Sequence, residues 1–330
     1  MIRPGSDGTE PSERRARTFT EERPRLIGLA YRMIGSRTDA EDVVQEAWLR
    51  YDGSEGEPDN PAAWLTTVTS RLALDRLKSA PVRRERYVGP WLPEPVRTQF
   101  GDDWTALLAG DDHGREQPVA TPDPSAGDPA EAVDRSASLT LGFLVVLDTL
   151  PAEDRAVFLL ADVFVVPFAD IATIVGRSPE ACRQAASRAR RRIREAAPPA
   201  HPGPTTSDWD LAARLATAVS SGDLDGTLRL LAPDITLVSD GGPTRHAARR
   251  PVVGADKVAR FLINLAARRP EGTTIELAEI NSSPALISRP PGEAPIVWSM
   301  ECGPDDRVSA FRMMLAPEKL AALDADALEW

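Results

Sequence analysis

Cysteine, histidine and tyrosine are scarce in this sequence, with two, three and three copies among 330 residues. Cys182 and Cys302 lie too far apart to match a disulfide framework or the close spacing of a metal site. No apolar run approaches the roughly 18 residues that cross a bilayer, and the polar first 17 residues do not resemble a signal peptide. We therefore expect a soluble, cytoplasmic protein with no membrane segment, no metal and no cofactor.

Charge is abundant but unevenly distributed. The formal net charge is −11, which by itself argues against nucleic-acid binding. Residues 91–135, however, hold ten acidic and only three basic side chains. In contrast, residues 177–194 hold seven arginines against Glu180, and residues 71–86 hold six basic side chains against two acidic ones. Two basic patches are thus embedded in an acidic protein, as a DNA-binding role requires.

The order of helical and strand patterns predicts a multidomain protein with two all-α domains and a C-terminal α+β domain. The C-terminal part reads as helices first and strands afterwards. The predicted segments are a disordered N-terminus (1–17), a helical domain (18–90), an acidic Pro-rich linker (91–135), a second helical domain (136–197), a linker (198–206) and the α+β domain (207–330).

A helix-turn-helix pattern lies at residues 167–194, where a short helix, a turn at Gly176 and a longer helix follow one another. Ser178 is a good N-cap and Glu180 lies in the first turn, where the helix dipole favours an acid. Small residues form an inner stripe, so the polar side chains should project outward: Arg183, Gln184, Ser187, Arg188, Arg190 and Arg191. Arg and Gln read base edges in the major groove, although a solvated basic helix face is the alternative.

The basic patch at 71–86 lies on the third predicted helix, which also carries Trp64. Aromatic and basic residues together suit melted DNA, where bases stack on rings and phosphates are neutralised. The alternative is that Trp64 belongs to the core and the charges only solvate the surface.

An acidic run from Asp39 to Glu46 opens the second predicted helix. No histidine or second acid at a fixed separation indicates catalysis. Asp39 and Asp42 lie three residues apart on one face, which suits a protein partner with a basic surface. An ordinary acidic helix start is the alternative.

Three sets of motifs resemble one family. The segment from Gly35 to Ala47 resembles region 2 of bacterial extracytoplasmic-function (ECF) sigma factors. Phe168–Ala172, Gly176–Ser178 and Ser187–Arg190 resemble region 4. Trp91–Pro95 and the C-terminal domain are similar to the sigma-J-like group, in which a fused domain resembles the SnoaL/NTF2-like fold.

The resemblance implies partners and residue roles. The partners are core RNA polymerase, through its β′ clamp helices and β flap, and promoter DNA. The implied polymerase-binding residues are Asp39, Glu41, Asp42, Gln45 and Glu46. The implied −10 residues are Trp64, Arg71, Arg76, Lys78, Arg83 and Arg84, and the −35 residues are Ser178, Glu180, Arg183, Gln184, Ser187 and Arg188. The fused domain is expected to pack on the sigma domains, and the residues implied in the regulatory contact are Trp91, Pro93, Glu94, Asp240, Gly241, Gly242 and Lys319. The resemblance also implies that the acidic linker threads a basic polymerase channel, although a mobile, solvated linker is the alternative.

The fused domain is expected to regulate rather than catalyse. All three tyrosines lie outside it, and its one histidine, His246, lies in a loop where a dyad with Asp240 has no fixed geometry. A small apolar ligand in this domain is left open. Two other functions also stay open: a stand-alone helix-turn-helix regulator, and a SnoaL-like enzyme with a DNA-binding appendage.

Overall fold

The computed structural model describes residues 11–84, 89–98, 140–196, 204–303 and 305–323. The helices are α1 (Pro11–Ile34), α2 (Arg37–Asp52), α3 (Pro61–Arg84), α4 (Leu141–Asp148), α5 (Ala152–Phe158), α6 (Phe168–Val175), α7 (Pro179–Ala196), α8 (Thr206–Ser221), α9 (Leu224–Leu230), α10 (Ala255–Ala267) and α11 (Pro317–Leu320), with a π-helix at Leu159–Val163. The strands are β1 (Leu231–Asp240), β2 (Val252–Val253), β3 (Thr274–Ile280), β4 (Ser283–Arg289), β5 (Ile296–Cys302) and β6 (Val308–Met314).

The described residues form two compact units. The first, here the helical unit, holds residues 11–83 and 150–192. The second, here the sheet unit, holds residue 84 and the described residues within 89–149 and 193–323. This confirms the predicted fold class of helical domains followed by an α+β domain.

The helical unit follows the periodicity of its sequence. Ser36 caps α2 because its hydroxyl accepts a hydrogen bond from the Asp39 amide at 3.1 Å. The apolar stripe of α1 is fully buried at Leu26, Leu29 and Ala30, since these positions face the same side of the helix. Apolar residues at helical spacing also predicted a helix after Pro61, and α3 lies there.

The N-terminal segment differs from its prediction. Residues 11–17, expected to be disordered, are the first turns of α1, whereas residues 1–10 lie outside the described residues. Arg15 explains the difference because its guanidinium donates to the carbonyls of Asp52 and Gly56 at 2.7 and 2.6 Å. The same guanidinium lies 5.7 Å from the Tyr51 ring centre.

The sheet unit is built on one six-stranded sheet in the order β2-β1-β6-β5-β4-β3. The β1–β6 pair is parallel and the other pairs are antiparallel. On one face, Leu237, Met300 and Phe311 form a core cluster with α8 and α10. On the opposite face, alternate residues such as Ile287 and Val297 form a second cluster that includes Leu92.

The predicted linker begins with an ordered segment. Residues 91–98, here called the strap, run along the sheet unit, and Arg97 bridges to Ile280 at the end of edge strand β3. Helix α4 groups by its contacts with the sheet unit, where Val145 packs on the same cluster as Leu92. This packing was not predicted, because local patterns do not report which surface covers an apolar side chain. Residues 99–139, the rest of the predicted linker, lie outside the described residues.

Candidate functional sites

The helix-turn-helix has the predicted local geometry. Gly176 ends α6 with a φ of 70°, a left-handed conformation that glycine adopts without steric cost. The Ser178 hydroxyl accepts a hydrogen bond from the Ala181 amide at 3.2 Å, which confirms the predicted cap. The inner stripe of α7 is buried at Cys182, Ala185 and Ala189. The small side chains allow α7 to pack closely on its neighbours.

The outer face of α7 is polar and exposed. Arg183 forms an ion pair with Glu180 at 2.8 Å, and the Gln184 amide lies 3.5 Å from the same carboxylate. Ser187 and Arg188 continue this face. The predicted −35 residues therefore share one accessible surface. Their mutual contacts are exposed, so a partner can replace them at low cost.

Two acidic side chains of the helical unit were missed by the sequence analysis. Asp154 on α5, 9% exposed, accepts from Arg177 at 2.9 Å and from Arg188 at 3.2 Å. Asp162 holds Arg190 through two hydrogen bonds of 2.6 Å, and these bonds raise the pKa of Arg190. Arg190 was predicted to project outward and is instead half-buried in this ion pair, because the π-helix brings Asp162 against α7.

The acidic run of α2 presents Asp42, Gln45 and Glu46 to solvent, whereas Asp39 and Glu41 are half-buried. Leu49, one turn further along the same face, is 62% exposed. The sequence analysis missed Leu49, although its spacing from Asp42 and Gln45 was a readable signal. The exposed face of α2 therefore combines acidic side chains with one large apolar side chain.

The basic residues of α3 contact acceptors within the helical unit. Arg76 lies 3.4 Å from Asp39 and 3.3 Å from Asp42, and Lys78 pairs with Glu153 at 3.0 Å. The hydrogen bond from Lys78 is the main cause that lowers the pKa of Glu153. The Arg71 guanidinium donates to the Thr173 carbonyl at 3.0 Å. The side chains of Arg83 and Arg84, at the end of α3, lie outside the described residues.

Trp64 is half-buried rather than free on the surface. Its ring centre lies 5.7 Å from that of Tyr51, which also contacts Trp48 at 6.3 Å. The side chain thus packs on an aromatic group within the helical unit while keeping part of its surface exposed.

A buried polar cluster joins the strap to the sheet unit. The Lys319 ammonium lies 2.8 Å from the Asp240 carboxylate and donates to the Leu92 carbonyl at 2.7 Å. It also lies 4.3 Å from the centre of the Trp91 ring, and Asp240 accepts from the Leu92 amide at 2.8 Å. Asp240 is 0% exposed and Lys319 is 8% exposed. The structure thus brings together Trp91, Asp240 and Lys319, three of the residues predicted for the regulatory contact.

The glycines after Asp240 are required by this cluster. Gly241 lies against the Arg245 carbonyl with no room for a Cβ, and Gly242 has a φ of 61° beside Glu318. The Gly242 amide donates to Asp240 at 2.9 Å, which fixes the second carboxylate oxygen. The other two predicted strap residues flank the cluster, with Pro93 buried and Glu94 half-buried.

The rest of the strap is held by residues that the sequence analysis missed. The Val96 backbone amide donates to the side-chain oxygen of buried Asn281 at 2.9 Å. The Asn281 backbone amide in turn donates to the Val96 carbonyl at 2.9 Å. The Thr98 hydroxyl donates to Glu279 at 2.6 Å. Burial raises the pKa of Glu279 to about 7. Asn281 has a φ of 52° in a tight hairpin turn. Asparagine tolerates this left-handed conformation, so its presence between two strand patterns was a sequence signal for the turn.

The sheet unit also contains an apolar cavity of about 320 Å³ between the sheet and helices α8 and α10. Its lining includes Leu215, Leu262, Trp298 and Phe311. His246 is exposed, whereas the Asp240 carboxylate is buried against Leu92 and Lys319, so the two do not form a dyad.

Among the residues that the structure describes, no group of three or more metal-ligating side chains is close enough to hold an ion. None of the described helices is both long and apolar enough to cross a membrane.

Comparisons with known proteins agree with these features. Residues 18–81 match the Sigma-70 region 2 family and residues 142–193 match the Sigma-70, region 4 family. The ECF RNA polymerase sigma factor SigJ of Mycobacterium tuberculosis is 40% identical over 254 residues, which cover 77% of this chain and 74% of SigJ. A probable ECF sigma factor of the same organism, SigI, is 31% identical over 312 residues, covering 91% and 93%.

The crystal structure of M. tuberculosis SigJ matches most of this chain. The match has a TM-score of 0.69 at 34% identity, and it covers 94% of this chain and 100% of that structure. The family resemblance drawn from the motifs is thereby confirmed. The chain belongs to the extracytoplasmic-function RNA polymerase sigma factors, which recognise promoters and are not enzymes.

Proposed function

We propose that this sigma factor reads the −35 promoter element with the outer face of α7. The observation that supports this most is the exposure of Arg183, Gln184, Ser187 and Arg188 on one face of a helix whose other face is buried. These side chains can donate to base edges and phosphates in the major groove. Glu180 positions Arg183 and Gln184 before DNA arrives, and Ser178 orients the helix start.

For the −10 element, we assign Trp64 and the basic residues of α3: Arg71, Arg76, Lys78, Arg83 and Arg84. Arg76 and Lys78 now form exposed or half-exposed ion pairs within the helical unit. Such pairs are worth about 0–1 kcal/mol each, so DNA phosphates can displace the carboxylates.

The exposed face of α2 is the proposed contact with the β′ clamp helices of core RNA polymerase. Asp42, Gln45, Glu46 and Leu49 supply acidic and apolar contacts there, and Asp39 and Glu41 support them. The helices of the region 4 match, α4 to α7, would contact the β flap of the polymerase. This proposal places the protein in the cytoplasm, where its polymerase works.

The fused domain is proposed to control promoter use through the strap. Lys319 and Asp240 hold both backbone groups of Leu92, so the strap's position depends on this buried pair. The apolar cavity offers the domain a site for a small ligand.

Run-off transcription with core polymerase tests the −35 assignment. Arg183→Ala should relax selectivity at one −35 position by about 1–3 kcal/mol and leave other positions unchanged. Arg194→Ala, an exposed arginine at the end of the same helix, is the matched control. Equal effects of both variants, or no promoter-dependent transcript from the wild type, would contradict the proposal.

A polymerase-binding assay tests the α2 surface. Asp42→Arg reverses an exposed charge at its centre and should weaken binding to core polymerase about tenfold or more. Asp59→Arg, in the exposed loop before α3, makes the same charge change away from the face. Unchanged affinity for Asp42→Arg would exclude this surface.

The regulatory role has a separate test. Lys319→Gln removes the charge that holds the strap, and we expect it to change promoter-dependent transcription by the full-length protein. Lys257→Gln changes an exposed lysine on α10 and serves as the control. Transcription indistinguishable from wild type would refute control through the strap.

A further inference from the structure

The cavity of the sheet unit has an apolar interior. Strands β4, β5 and β6 contribute Leu286, Trp298 and Phe311, and helices α8 and α10 contribute Leu215 and Leu262. Ser220 and Ser288 add two small uncharged polar groups to this interior. An occupant must therefore bury a hydrocarbon or aromatic body.

The volume limits the size of that occupant. About 320 Å³ lies at the lower end of small-molecule pockets. At about 30 Å³ for each water-sized group, the cavity takes roughly ten such groups. A chain of about ten carbons matches this space, whereas a much larger molecule would have to extend into solvent.

The lining also includes three charged residues. Arg268 and Arg269, just beyond the last turn of α10, are exposed, and neither forms an ion pair with any carboxylate of the described residues. Glu293, the one acidic lining residue in the described part of the chain, is already paired with Arg245. The lining therefore carries two uncompensated positive charges beside an apolar interior.

We propose that this cavity binds an apolar monocarboxylate of about ten carbons. Its chain lies against Trp298, Leu286 and Phe311, and its carboxylate accepts hydrogen bonds from Arg268 and Arg269. Arginine suits this role because its planar guanidinium matches a carboxylate. The inference deepens the proposed regulatory role of the fused domain by naming the ligand class, and it rests on that role for its biological meaning.

Isothermal titration of the full-length protein tests the proposal without using transcription. The probes are decanoate, decanol and decyltrimethylammonium, which share a chain and differ in charge. Decanoate should bind about tenfold more tightly than decanol, because two partly screened charge-assisted contacts are added, and the cation should bind least. Failure of the regulatory role would appear only in the Lys319→Gln transcription assay, so the two failures are distinguishable.

Three variants locate the site. Arg268→Gln combined with Arg269→Gln should weaken decanoate about tenfold and leave decanol within about twofold. Arg229→Gln, an exposed arginine on α9 outside this cavity, should change neither. Ala266→Phe, at the arginine end of the cavity, should weaken both probes, and circular dichroism of each variant checks its folding.

Two results would overturn the proposal. If decanol binds as tightly as decanoate, the arginines serve only to complement the dipole at the end of α10. If no probe binds the folded wild-type protein, the cavity is not a site for this ligand class.

Discussion

The helical unit and the sheet unit each contain pairs of oppositely charged side chains, but these pairs lie in different environments. In the helical unit, Arg183 pairs with Glu180 on the surface, with side chains 53% and 64% exposed. In the sheet unit, Lys319 pairs with Asp240 at 8% and 0% exposed. Water solvates the first pair whenever it opens, whereas the second leaves a bare buried charge if one partner is lost. The proposed exchange of an exposed pair for DNA or polymerase contacts would therefore cost little, whereas the buried pair fixes the strap.

The largest expected effect follows from breaking the buried pair. Lys319→Met should lower the free energy of unfolding of the full-length protein by about 3–5 kcal/mol, because Asp240 remains buried without its cation. Urea denaturation measures the change. Adding Asp240→Asn to Lys319→Met should recover part of the loss, and a single-variant cost below about 1 kcal/mol would show that the pair behaves like a surface one.

Protonation of Glu279 extends the comparison to pH. Burial raises its pKa from 4.5 to about 7, so the folded state binds a proton that the unfolded state releases near pH 4.5. The contribution of Glu279 to the free energy of unfolding is therefore fully present below about pH 4.5. It falls as pH rises to about 7, by at most about 3 kcal/mol. Glu279→Gln stays neutral and should remove this slope from urea titrations across that range. An unchanged slope would contradict the assignment.

Relief of backbone strain in the helical unit should change the stability of the protein by less than the two changes above. Val165 has a φ of 52° and is 73% exposed, so a β-branched side chain occupies a left-handed conformation with little packing in return. Val165→Gly should stabilise the protein by about 1 kcal/mol after the entropy cost of glycine is counted. Val166→Gly should destabilise it, since Val166 is half-buried and is not among the residues with positive φ. Thermal melts of both variants test the opposite signs.

The smallest expected effect tests the exposed pair itself. Arg183→Ala should change the free energy of unfolding by less than about 0.5 kcal/mol, although it should alter promoter selectivity. The same urea titration measures the change. A loss of several kcal/mol would mean that Arg183 supports the fold, and its effect on transcription would then say nothing about base reading.

Much of the architecture follows from local patterns in the sequence. Helical periodicity predicted α2, α3 and α7, and Ser178 with Gly176 predicted the turn between α6 and α7, because caps and left-handed glycines are local signals. The presence of both helices and strands in the C-terminal part was also predicted. The disorder expected for residues 11–17 was wrong, since Arg15 finds its acceptors more than 35 residues away.

The sequence alone determined the class of this protein: its motifs specify two promoter-binding helical regions and a fused α+β domain. Only the tertiary structure decided which charge pairs are exposed and which are buried. Asp240 and Lys319 are 79 residues apart in sequence, and Leu92 is 148 residues from Asp240. Burial, and with it the strength of a charge pair or the pKa of Glu279, depends on the elements that the whole fold packs around a group. A local sequence pattern does not show which distant elements pack around a charged group.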